Sequence, residues 1–197
     1  MRLSRTRSSV VLLVLSLAIA WVIVGCTSTV KPPRGVGDPA EIYLTYEARH
    51  RGLVLPDASG ELIEYGYGDR DWYALGKDRW YHAFDTLLWP TGGTLGRHAT
   101  GTRTGDELRA HFLGRRIVSL RVELVAVVAL RDRLEAEFAA GIGDSIWNPD
   151  YRMDFVPYPH RFWCFHNCND AVADWLRELG CEVSWVPVRT DLRVEGE

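Results

Sequence analysis

Cys168 opens the stretch Cys168-Asn169-Asp170-Ala171-Val172-Ala173-Asp174-Trp175-Leu176-Arg177-Glu178-Leu179-Gly180, which is patterned as an amphipathic helix with a thiol in its first turn. Asn167 reads as the N-cap, Asp170 as its partner three residues on, Val172, Trp175, Leu176 and Leu179 as the apolar stripe, and Gly180 as the stop. A thiol there meets unpaired amides and the positive end of the helix dipole, both of which favour thiolate and can make a cysteine nucleophilic. The same spacing also suits a small hydrophobe buried under a helix. A nucleophile needs a base within reach and a group to orient that base. The chain offers His50, His82, His98, His111, His160 and His166, and His50 is the best placed, at the mouth of an expected hairpin with a carboxylate opposite. If Leu55 pairs with Glu61, then His50, Gly52 and Val54 share a face with Leu62, Glu64 and Gly66, and Glu64 lies diagonally across from His50. A one-residue slip brings Tyr67 and Asp69 to that face instead, so the orienting group is Glu64 or Asp69.

The elements that must position these residues are read from periodicity and turn residues. Strands are expected at Ile42 to Tyr46, Gly52 to Leu55 and Glu61 to Asp69, the last two joined by the turn Pro56-Asp57-Ala58-Ser59-Gly60. Asp71 to Leu88 is aromatic and amphipathic, helical in its second half, and a strand is expected at Gly93 to His98. Ile117 to Leu124 alternates as a strand, Val127, Leu130, Leu134 and Phe138 mark a helix ending at Gly141, and Glu182 to Val188 forms a last strand. Mixed elements with early hairpins argue an α+β fold, an antiparallel sheet packed by helices. Most of the aromatic residues, among them Tyr65, Tyr67, Trp72 and Tyr73, are expected to be packing, with a minority lining a groove.

The amino terminus bears on where this chemistry takes place. Arg2, Arg5 and Arg7 precede an apolar run from Val10 to Val24, ending Ile23-Val24-Gly25-Cys26 before polar Thr27-Ser28-Thr29. This is the pattern of a secretory signal over residues 1–25, and an uncleaved membrane anchor is the competing reading. Residues 26–40, rich in Pro and Gly toward their end, are expected to tether a single domain spanning 41–197. Removing residues 1–25 takes away three arginines and no acid, so the formal charge moves from −3 to −6. A mildly acidic domain without a basic stripe argues against a nucleic-acid partner.

The residues before Cys26 resemble the lipobox of bacterial lipoproteins, in which the cysteine is acylated and joins the chain to a lipid membrane. Without Asp at position 27, the resemblance implies an outer-membrane lipoprotein of the cell envelope facing the periplasm. The run His50-Arg51-Gly52-Leu53-Val54-Leu55-Pro56, then Glu64-Tyr65-Gly66-Tyr67-Gly68-Asp69, then Asn167-Cys168-Asn169 ahead of a helix, resembles a family of bacterial lipoproteins built on a domain of unknown function. More distantly it is similar to the circularly permuted papain-like fold shared by NlpC-type cell-wall peptidases and lecithin retinol acyltransferase. That resemblance implies a histidine strand first, a polar orienting residue on the next strand and a cysteine opening a later helix, roles that fall to His50, Glu64 and Cys168. The orienting position, commonly His in such enzymes, is Glu64 here. The implied activity is hydrolysis or acyl transfer at an amide or ester bond, with a peptidoglycan peptide or an acyl compound as substrate and no cofactor. A non-catalytic envelope binding or assembly lipoprotein on the same fold is the alternative.

Cys164, His166, Cys168 and His160 crowd together, but structural zinc favours paired Cys-x-x-Cys spacing with a matching second cluster, so no metal is expected. In an exported protein Cys164 could bridge Cys181, leaving Cys168 free, or bridge Cys168 and mask it.

Overall fold

The computed structural model describes residues 27–47, 50–77, 89–163, 166–184 and 191–196. The expected signal at 1–25, Cys26, Cys164, the second half of the 71–88 segment and the last strand beyond residue 184 lie outside the described residues. The fold is α+β. Seven strands form one antiparallel sheet in the order β6-β2-β3-β4-β5-β8-β7. They are β2 (Pro39–Glu47), β3 (His50–Pro56), β4 (Leu62–Asp69), β5 (Thr91–Ala99), β6 (Arg116–Glu123), β7 (Ile146–Asn148) and β8 (Met153–Phe162). A second sheet places β1 (Thr27–Lys31) between β10 (Asp191–Val194) and β9 (Glu182–Val183).

Strand β4 is buried at every position, as a central strand covered on both faces must be. One face carries Leu53, Leu55, Tyr65 and Tyr67 and packs against helix α2 (Leu124–Ala140) and helix α3 (Cys168–Glu178) in the main core. Helix α2 turns Val127, Leu130, Leu134 and Phe138 inward, the expected 3.6-residue stripe. The opposite face carries Val54 and Tyr43 against Leu108 and Phe112, at the end of helix α1 (Gly105–His111). Farther along that face Tyr73 and Ala74, from a π-helical turn at Arg70–Ala74, meet Met153 and Phe155.

Three departures from expectation matter. Thr27–Lys31 is a strand rather than a tether: Val30 is fully buried and pairs with both Val194 and Val183. The hairpin closes through a tighter loop, with Asp57 N–H donating to the Glu61 carbonyl at 2.7 Å and Gly60 in the left-handed region at φ 84°. Leu55 therefore pairs with Ile63 and not with Glu61, a shift of two residues that keeps the face but changes the neighbour. Finally, β8 and α1 had no counterpart in the sequence reading. Pro157 and Pro159 disguise β8 as a loop, yet beyond Phe155 this strand is laddered on one side only, where proline is tolerated.

Candidate functional site

Helix α3 begins as its sequence dictates. The Asn167 side chain caps the first turn, the Asp170 carboxylate accepts from the Asn167 amide at 2.9 Å, and Gly180 ends the helix at φ 83°. Val172, Trp175, Leu176 and Leu179 are buried. This fixes Cys168 as the first helical residue, aimed at the sheet.

The sheet is open where the helix arrives. The β3–β4 ladder stops at Gly52 and Gly66, although β3 continues beside β2 to His50 and β4 continues beside β5 to Asp69. The Arg51 amide, beyond the end of that ladder, faces the Cys168 sulfur, while the neighbouring Asn169 amide donates to Asn167 Oδ1 at 2.9 Å. His50 precedes Arg51 in β3.

The opposite face of the split is floored by glycine. A Cβ on Gly66 would lie 2.5 Å from the His50 ring, one on Gly68 would lie 2.1 Å from the Tyr73 ring, and one on Gly52 would lie 2.6 Å from the Glu64 carboxylate. Only glycine lets these side chains lie flat on the strands. His50 is 3% exposed, beneath Tyr73 at 5.4 Å and Tyr151 at 6.1 Å between ring centroids. Among the described residues neither ring nitrogen has a hydrogen-bond partner, so the imidazole is bonded to neither Cys168 nor Glu64 in this conformation. An orphaned buried polar group of this kind costs about 1–3 kcal/mol.

Glu64 shares the face of His50, as expected, but sits opposite Val54, two pairs along. Its carboxylate accepts from the Thr45 hydroxyl at 2.5 Å and is flanked by Arg115 at 3.4 Å, which also pairs with Glu47 at 2.9 Å. The expected hydrogen bond from Glu64 to the imidazole is therefore not made, because the two-residue shift of the hairpin draws Glu64 toward Thr45. Asp69 falls on the other face and is committed elsewhere, capping the π-helical turn through the Trp72 amide at 2.8 Å and bonding Thr91. Thr45 and Arg115 belong to the site and were not singled out from sequence, and Tyr73 was read only as one of the aromatic residues. Only their placement by β2, the α1–β6 loop and the turn after β4 brings them in.

The electrostatics correct a second expectation. Burial pushes the Cys168 thiol above its ordinary value, against the opposing pull of the Arg51 charge and the Arg51 and Asn169 amides. Burial, with Arg115 and Arg51 nearby, pulls His50 down to about 3. The predicted thiolate-favouring groups are present, but desolvation outweighs them. Burial thus favours the neutral form of both the thiol and the imidazole. Burial likewise raises Glu64, opposed by Thr45 and Arg115.

Cys168 and Cys181 are free thiols. Among the described residues there is no group of three or more His, Cys, Asp or Glu able to hold a metal ion, and no helix is long and apolar enough to cross a membrane. Comparison with protein-family models, with curated proteins and with solved structures finds no match to this chain.

Proposed function

We propose that the chain is a lipid-anchored protein of the bacterial cell envelope, joined to the outer membrane through Cys26, whose domain is a circularly permuted papain-like cysteine hydrolase or acyl transferase. The single observation that carries this reading is the split between β3 and β4, into which α3 delivers Cys168 against the Arg51 amide, one residue from His50. His50 takes the thiol proton as sulfur attacks an amide or ester carbonyl, and amides at the α3 start stabilise the oxyanion. The tetrahedral intermediate expels an amine or alcohol, which takes the proton back from His50. The resulting thioester passes its acyl group to water or to an acceptor nucleophile. Glu64 offsets the Arg115 charge, which would otherwise depress the imidazole further. A cell-wall peptide is the proposed substrate class, on cellular location and fold analogy.

The burial of His50 under two tyrosines and the commitment of Glu64 to Thr45 favour a second reading, a binding or assembly lipoprotein that kept the fold and lost the chemistry. The two separate on incubating the purified protein with activated acyl esters and mapping the adducts by mass spectrometry. The hydrolase reading expects a thioester on Cys168 that is lost in Cys168→Ala. Acylation confined to lysines and unchanged in Cys168→Ala leaves the binding reading standing.

A further inference from the structure

A general base sealed from substrate must be uncovered to work, and the cover over His50 is built from two short segments that pack with Met153 and Phe155 in a small cluster apart from the main core. Tyr73 stands on the π-helical turn at Arg70–Ala74, whose neighbours Asp71 and Leu75 are exposed. Tyr151 stands on the turn between β7 and β8, half-buried, 4.9 Å from the Tyr73 ring. Polar contacts from the neighbouring strands help to hold these turns. Asn148 Nδ2 donates to the Tyr73 carbonyl at 2.6 Å, and the His98 ring bonds the Arg152 carbonyl. Arg152 is the one non-glycine residue in the left-handed region among the described residues, at φ 54°, a backbone strain localised beside Tyr151. Underneath, both nitrogens of His50 are without partners among the described residues, a burden that opening to water relieves.

We propose that Tyr73 and Tyr151 form a movable cover over the Cys168–His50 site, and that the structure is its closed, resting form. This rests on the hydrolase reading for its purpose but not for its test. In the closed form His50 is sealed from carbonyl substrates, and burial favours the protonated thiol of the half-buried Cys168. In the open form His50 regains water and the β3–β4 split becomes a cleft walled by Tyr67 and Tyr73. The cover thus regulates the site by limiting access, and the two turns that carry it open independently of the sheet.

The test follows alkylation of Cys168 in the purified full chain by iodoacetamide and by a maleimide bearing a polyethylene glycol chain, with peptide mapping to resolve each thiol. Cys181, buried against the main core and remote from the cover, reports global unfolding in the same sample. Tyr151→Ala and Asn148→Ala, measured separately, should each speed Cys168 modification at least about tenfold, more for the bulky reagent, while Cys181 stays protected. Native-state amide exchange of the wild-type chain needs no variant: residues 70–74 and 149–152 should exchange by a local opening insensitive to low denaturant, and β4 only through global unfolding. Cys168 alkylation unaltered by both variants with Cys181 protected, or exchange of both turns only through global unfolding, overturns the cover. Faster alkylation without a Cys168 thioester keeps the cover and removes the hydrolase reading.

Discussion

At the residue scale the site is governed by desolvation. Cys168 was legible because its signals are local: a cap, a capping partner and an apolar stripe lie within thirteen residues, and the helix forms as written. Its protonation state was not legible, because that depends on what covers it. His50 makes the point testable. Its folded value, near 3, lies below the ordinary 6.5, so the unfolded chain binds the proton more tightly. The stability this contributes is fully present above about pH 6.5 and is lost as pH falls from there toward the folded value. Between roughly pH 7 and pH 5 the loss amounts to about 2 kcal/mol from this residue. Urea unfolding at the two pH values should show that difference narrowing by about 2 kcal/mol in His50→Phe, the other buried histidines contributing equally to both chains. An unchanged difference in the variant means that His50 is charged, or solvated, in the folded protein.

At the scale of elements, the position of the catalytic candidates is set by where strands stop pairing. The hairpin and its face were readable from alternation, since period two fixes parity. The exact register was not, because Asp57 and Gly60 close the loop more tightly than the turn residues alone require, and two residues separate an expected contact with Glu64 from none. The glycines at 52, 66 and 68 are the space in which Glu64, His50 and Tyr73 lie. Gly66→Ala should expel the His50 ring, costing about 1–3 kcal/mol by overpacking and abolishing acylation of Cys168. Asn167→Ala removes only the cap, for about 1 kcal/mol, and should slow acylation without abolishing it. Thermal melts and acyl-adduct yields on both variants check this ordering. Equal effects from the two would argue that the ring does not rest on Gly66.

At the scale of the whole molecule, the misread segment was the one whose partner is most distant in sequence. Thr27–Lys31 is short and polar, and it becomes a strand only because Asp191–Val194, some 160 residues later, lies alongside it. No local pattern carries that information. On the proposed lipidation, Cys26 immediately precedes a paired strand in the sequence rather than a free tether. Val30→Asp should lower stability by about 3 kcal/mol or more in urea unfolding, whereas Lys31→Asp, at an exposed position of the same strand, should stay within about 0.5 kcal/mol. Similar small effects at both positions would return the segment to a linker. The central claim, however, is that the split sheet, the Cys168 thiol and the His50 base work as one unit. Its most direct test is the single-turnover rate at which Cys168 is acylated by an activated ester in the wild-type chain and in His50→Ala at neutral pH. The account predicts a fall of about a hundredfold or more in the variant, the usual contribution of a general base, with Cys181 untouched in both. Acylation of Cys168 at the same rate in the two proteins would contradict it.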